Sequence, residues 1–494
     1  MSTAPRELTQ IQWPKGDFPA AAHELLKDSQ IRKNVRHATN VITAKRAKVV
    51  DEMPDWQQLR EAGSAIRQHS LDHLDEYLQQ FEAACTAAGG HVHWALDAAE
   101  ANRIAVEIVQ RAYTNEEGAK EVIKIKSMTT EEIFLNPALS AAGIVPFETD
   151  LAELIIQLGG DQPSHIVVPA LHKNRQQIRD LFMREMNLPE LGHTPEALAD
   201  AARLYLRHKF LTVPTAVSGA NFLIAETGGV CVVESEGNGR MCLTLPETLI
   251  TIAGIDKVIP RFQDLEVLLQ LLPRSATGER MNPYNSIWTG VYPGDGPKNF
   301  HVVLLDNART EILADTEGRQ TLHCIRCGAC QNACPVYRQT GGHAYGSVYA
   351  GPIGAILTPQ LQQMHHAQSL PYASSLCGAC YEVCPVKINI PEVLIHLRNK
   401  VVVQNGPITP EALAMRTMAS IFRSERRFRA AQRLGRIAEL PLVRKDARGV
   451  GWISWLPGPL GGWTQVRDLQ AMPNQTFRDW FENRATPEGG GDGV

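Results

Sequence analysis

Seven cysteines, Cys324, Cys327, Cys330, Cys334, Cys377, Cys380 and Cys384, fall within 61 consecutive residues of a 494-residue chain. Even spreading of all ten cysteines would put about one in that window. The other three, Cys85, Cys231 and Cys242, are scattered. Disulfide frameworks belong to small secreted chains that cannot bury enough core, whereas a chain of this length needs no such staple. An odd, crowded set of thiols therefore points to metal ligation. The first residues lack a basic stretch followed by an apolar run, so no secretory signal is expected and the thiols are expected to stay reduced in the cytoplasm.

The spacing narrows the metal. Cys324-x2-Cys327-x2-Cys330-x3-Cys334-Pro335 is the bacterial ferredoxin pattern, in which three thiolates wrap one cubane cluster and the fourth serves a neighbouring one. The second set is a near copy: Cys327 to Val336 and Cys377 to Val386 agree at seven of ten positions. By the crossed rule one cluster takes Cys324, Cys327, Cys330 and Cys384. The other takes Cys334, Cys377 and Cys380, and its fourth position is Ser374. Structural zinc uses two separated pairs and explains neither the third step of three nor the proline after each last cysteine. The expectation is two iron–sulfur clusters, most simply [4Fe-4S]. For the second, ligation through the Ser374 oxygen, a [3Fe-4S] cluster and an iron open to another ligand all stay open.

Around this module the chain falls into four parts. Residues 1–55 form a polar N-terminal extension. Apolar residues recur at helical spacing over 56–81, and from there to about 306 short β-prone runs alternate with helical stretches. The runs include His91 to Ala95, Glu121 to Ile125, His165 to Val168, Cys231 to Glu234, Leu249 to Ile255 and Val302 to Leu305; an Asp97-capped helix from Ala98 and a helix near 173–186 lie between them. That alternation predicts an α/β domain over 56–306 with a mostly parallel sheet. Ligands of such sheets bind beyond the carboxyl ends of the strands, here at turns such as Glu234 to Gly239. The cysteine module occupies 307–395. A helical, basic and tryptophan-rich region follows over 396–494, and residues after Arg484 are expected to be disordered.

Several segments together resemble the lactate utilization protein B family: Leu370 to Pro385, Gly341 to Gly346 and Gly351 to Pro359 near the cysteines, and Gly219 to Gly228 with Val233 to Arg240 upstream. The resemblance covers nearly the whole chain. It implies an α/β LUD domain similar in fold to NagB/RpiA/CoA-transferase-like proteins, followed by a helical ferredoxin-type 4Fe-4S module and a helical C-terminal region. In that family a serine at the Ser374 position is usual. The implied function is that of an iron–sulfur subunit in a three-protein system oxidising L-lactate to pyruvate, with the other subunits as partners.

Lactate oxidation removes two electrons from one carbon and ordinarily needs a flavin or nicotinamide acceptor. No GxGxxG fingerprint follows a strand, and Gly237-x-Gly239 is too short a match. The leading expectation is therefore an electron-transfer component. A catalytic oxidoreductase that binds lactate in its own LUD domain is the alternative, and an iron–sulfur sensor or scaffold is a third. Catalytic residues stay unassigned; Glu226, Lys124 and Lys126 are candidates, with Glu148, Asp150, Glu234 and Asn238 as further polar groups and His165 and His343 as histidines that more often serve structure. Residues 411–448 carry ten basic and four acidic side chains, +6 locally and −10 elsewhere against a net charge of −4. A basic amphipathic helix could meet the inner face of a membrane and suit a quinone-linked acceptor, but irregular apolar spacing favours packing on this protein or a partner. No stretch reaches 18 apolar residues, so no transmembrane segment is expected, and the near-neutral charge argues against nucleic acid.

Overall fold

The computed structural model describes residues 17–113, 119–362 and 364–484; the residues after Arg484 lie outside them. The chain divides into two compact units between Val401 and Val402. Among the described residues the first contains ten strands: β1 (His91–Ala95), β2 (Lys120–Lys124), β3 (Ile144–Glu148), β4 (Thr215–Ser218), β5 (Phe222–Ile224), β6 (Gly229–Glu234), β7 (Thr248–Gly254), β8 (Val258–Ile259), β9 (Tyr284–Trp288) and β10 (Asn299–Leu305).

Six of them form a parallel sheet in the order β1-β10-β7-β4-β2-β3. Central β7 explains the near-continuous apolar run Leu-Ile-Thr-Ile-Ala, because all seven of its residues are buried between flanking layers. Its Ile250 pairs with Val217 on one side and His301 on the other. The helix Ala98–Ala112 begins where expected: the Asp97 carboxylate accepts the Glu100 N–H at 3.0 Å and fixes the first turn. The remaining four strands form a mixed sheet, β8-β5-β6-β9.

Two local expectations are modified, the second of them by side-chain chemistry. The helical stretch over 56–81 is two helices, Trp56–Asp72 and Leu74–Ala87, broken at His73. His165 to Val168 is a loop, because the His165 Nδ1 accepts the N–H groups of Val167 and Val168 at 3.0 Å each and removes them from any ladder. Pro163 and Pro169 flank that loop and further disfavour pairing.

Ahead of the sheet, helices Phe18–Leu25 and Ser29–Asp51 pack into the first unit. Val35 and Trp56 share one continuous core with Leu268 and Leu271 and with six of the crowded cysteines. In the second unit, helices Pro410–Phe422 and Glu425–Glu439 precede a small three-stranded sheet and the helix Phe477–Asn483. Neither long helix has a buried residue. Among the described residues no helix is long and apolar enough to cross a membrane.

Candidate iron–sulfur centre and adjoining cavity

Both cysteine motifs fold alike. In each, a glycine in the left-handed region, Gly328 (φ 73°) or Gly378 (φ 84°), opens a one-turn helix, Ala329–Ala333 or Ala379–Val383. Two residues upstream stands a side-chain-bearing residue in the same unusual region, Arg326 (φ 61°) or Leu376 (φ 55°). Arg326 donates its N–H to the Cys324 sulfur at 3.4 Å, and Leu376 donates its own to the Ser374 hydroxyl oxygen at 3.1 Å. Ser374 thus holds in the second loop the place that Cys324 holds in the first.

Cys324, Cys327, Cys330 and Cys384 line one small cavity walled by Ile353, Val386, Ile388 and Ile390. Cys334 lies close enough to Cys377 and Cys380 for their charges to repel. Cys377 is exposed, whereas the other six are buried, and all are free of disulfides. The two sets adjoin, since Cys330 also feels Cys380. Backbone N–H groups of Tyr337 and Ile388 point at the sulfurs of Cys334 and Cys384 at 3.5 and 3.3 Å.

These donors suit iron–sulfur clusters better than zinc. Tetrahedral zinc with Zn–S near 2.3 Å brings its sulfurs to roughly 3.8 Å from one another. Among the described residues, no three cysteine sulfurs lie mutually within 4.8 Å. Burial and neighbouring thiols push Cys327 and Cys380 up to about 12, and burial pushes Cys384 up to about 11. Such thiols ionise at neutral pH only when a metal takes the proton's place. Cations surround the first set: Arg46 donates to the Val383 carbonyl at 3.0 Å, and Arg60 donates to those of Cys384 at 2.9 Å and Tyr381 at 3.1 Å. Arg67, buried to 1% exposure, donates to Leu322 at 3.0 Å.

Beyond the carboxyl ends of β2, β4 and β6 lies a cavity of about 670 Å³. Lys126, Asn221, Glu234, Glu236 and Asn238 line it, together with two residues that sequence reasoning passed over, Lys257 and Arg326. Arg326 also lines the cavity of the first cysteine set. Burial and Arg326 push the Lys257 ammonium down to about 7, as expected of a cation without a full counter-charge. Burial and Glu131 push Glu153 up to about 8, and burial with Asp150 pushes Glu236 up to about 7.

The other candidates are dispersed. Lys124 and Glu148, register partners at the ends of β2 and β3, are both buried and pair at 2.5 Å. Lys126 pairs with Glu153 at 3.2 Å while reaching the cavity wall. Glu226 accepts the Phe262 N–H at 3.0 Å and lines a separate hollow with Arg261 and Asp264. His165 bonds Asn332 beside the cysteines at 3.1 Å, and His343 bonds the Gln162 carbonyl at 2.9 Å.

The LUD domain model matches residues 78–305, the 4Fe-4S dicluster domain model residues 320–388, and the model for the lactate utilisation protein B C-terminal region residues 399–486. The chain is 43% identical to the lactate utilization protein B of Geobacillus sp. (strain WCH70) over 462 residues, 92% of this chain and 94% of that protein. It is equally similar, at 43%, to the proteins of that name from Bacillus licheniformis over 478 residues and Bacillus subtilis (strain 168) over 466. These alignments cover 96% and 93% of this chain, and 98% and 94% of those proteins, respectively.

Proposed function

The chain belongs to the lactate utilization protein B family, and we propose that it is the iron–sulfur electron-transfer subunit of a system that oxidises L-lactate to pyruvate. The observation that supports this most is the adjacency of an enclosed cysteine set to a second set that reaches the surface at Cys377. Cys324, Cys327, Cys330 and Cys384 would hold one cluster, and Cys334, Cys377 and Cys380 the other, with Ser374 in the fourth position. When bound, such clusters pass single electrons. The chain's own residues do the rest: the Ile-rich wall excludes water from the first set, N–H donors orient the sulfurs, and Arg60 and Arg326 offset negative charge. The cytoplasm is the proposed location. Other subunits of the system would deliver or receive electrons, with a quinone-linked acceptor as one destination.

An electron paramagnetic resonance titration with L-lactate tests the assignment. The anaerobically purified chain alone is expected to stay oxidised and to become reduced once its partner subunits are added. Reduction of the chain alone would transfer the role to the second reading, a catalytic LUD domain, which the cavity reaching Arg326 supports. Ser374→Cys supplies the second loop with the sulfur it lacks. The spectrum of the second centre is expected to change while that of the first does not; an unaltered spectrum would place the fourth ligand elsewhere.

A further inference from the structure

The cavity beyond the strand ends has an unequal charge account. Each acidic side chain on its wall already has a partner. Glu234 accepts the N–H groups of Glu236 at 2.8 Å and Gly237 at 2.6 Å. Glu236 accepts that of Leu151 at 3.0 Å, Asp150 caps the following helix through Ala152 and Glu153, and Glu279 pairs with Lys45 at 3.4 Å. Lys126 is taken by Glu153. Lys257 differs: it is only 6% exposed, lines the cavity, and makes no hydrogen bond or ion pair among the described residues. Arg326 donates a side-chain N–H to the Cys324 carbonyl at 3.4 Å and lies over the Tyr349 ring, but the carboxylate nearest to it, Asp256, stands at 3.6 Å. The Asn238 side-chain oxygen, in a residue 7% exposed on the same wall, is buried without a partner.

Lys257 and Arg326 share the neighbouring Asp256 carboxylate with Arg309, which holds it at 2.6 Å. Buried cations in excess of their counter-charges are costly, and an anion is what removes the cost. A guanidinium beside an ammonium suits the two oxygens of a carboxylate. The glycine-rich turn that opens helix Asn238–Thr244 on this wall already gives the N–H groups of Glu236, Gly237 and Arg240 to Glu234, and the extra charge of a phosphate would meet Glu234, Glu236 and Asp150 across the cavity. We propose that this cavity binds the carboxylate of a small organic acid against Lys257 and Arg326. The inference rests on the lactate reading and deepens it, placing the acid beside the loop of the first cysteine set. Binding here requires no turnover by this chain, because a two-electron acceptor can come from a partner.

The test is isothermal calorimetry on the anaerobically purified, iron-loaded full chain, with L-lactate, pyruvate and inorganic phosphate as separate probes. Saturable binding of lactate or pyruvate is expected. Lys257→Gln should weaken it by about tenfold or more, the usual scale for losing one charge-assisted contact, with Lys257→Arg retaining most of it. Asn238→Asp is a second variant, remote in sequence from the cysteines, which brings a negative charge to the cavity and should weaken binding likewise. Iron content and far-ultraviolet circular dichroism verify that each variant is folded and loaded. No binding of either acid, binding of phosphate alone, or unchanged affinity in both folded variants would overturn the proposal. If Lys257→Gln shifted only the potential of the first centre, the lysine would serve the cluster and the carboxylate site would also fall. Dithionite reduction of the same samples separates this failure from that of the electron-transfer reading: a chain that takes up electrons but binds no acid loses only the cavity proposal.

Discussion

Cys384→Ala is expected to empty the first centre, although the residue stands in the second motif. Its sulfur faces the same cavity as those of Cys324, Cys327 and Cys330, with the Ile388 N–H directed at it from 3.3 Å. Its carbonyl is held by Arg60, so the chain path there is fixed from outside the motif. Three thiolates in a buried apolar site retain a cubane far less well than four, since the released iron coordination site has no replacement donor close by. Iron in an anaerobic preparation should fall by about half from roughly eight per chain, and the surviving paramagnetic signal should be that of the second centre. Loss confined to the second centre would show that each motif ligates its own cluster. Both centres vanishing would mean that assembly of the second depends on the first, a result that iron analysis of Cys377→Ala would resolve, because that variant should spare the first.

What could be read from sequence here is what is local in sequence. The cysteine spacing repeats every three residues, and the loop that presents the sulfurs is no longer than the motif. The Asp97 cap, β1 and β10 were legible for the same reason: a short pattern determines a short element. Failures begin where a side chain redirects its own backbone. His165 sits in a β-prone run and takes up the N–H groups that a strand would have used. The break at His73 falls within the eight-residue gap between Ile66 and Leu74 in the apolar pattern, and no side-chain hydrogen bond caps either helix there.

The pairing of charged groups was the least legible. Lys124 was visible as a lysine at a strand end, but its partner Glu148 sits on the neighbouring strand and converts it from a substrate group into an internal ion pair. Lys257 gave no local signal at all. Its isolation depends on which carboxylates have been taken by backbone N–H groups elsewhere on the cavity wall, a property of the assembled fold. Arg326 was hidden in plain view between two cysteines, where a motif treats it as a spacer.

The same principle governs the second large expected effect, at Asp256, whose partners Arg67, Arg309 and Arg326 come from three other parts of the chain. Asp256 is fully buried; Arg309 donates to its Oδ1 at 2.6 Å, Arg326 approaches Oδ2 at 3.6 Å, and Arg67 donates to its backbone carbonyl. Arg309 turns its other face to Glu132, at 2.9 Å for each oxygen, and Tyr349 and Asn307 donate to Glu132 at 2.6 and 2.7 Å. With Lys257, four buried cations share two carboxylates. Asp256→Asn keeps the shape and removes one of the two, leaving Arg326 and Lys257 with no carboxylate close by. Breaking a buried pair from one side costs about 3–5 kcal/mol, a large part of the roughly 5–15 kcal/mol that holds a domain folded. The urea midpoint at pH 7 should therefore fall clearly, whereas a loss below about 1 kcal/mol would rank the network with exposed ion pairs. Burial opposes the charge on Asp256, but Arg309, Lys257, Arg326 and Arg67 outweigh it and hold the carboxyl well below its usual range. A carboxyl depressed on folding contributes fully above its unfolded pKa, near 4, and loses that contribution as the pH falls toward its folded value. The advantage of the native chain over Asp256→Asn should thus be constant from pH 7 to about pH 5 and shrink below about pH 4, a narrowing that acid-unfolding curves of the two proteins would display directly.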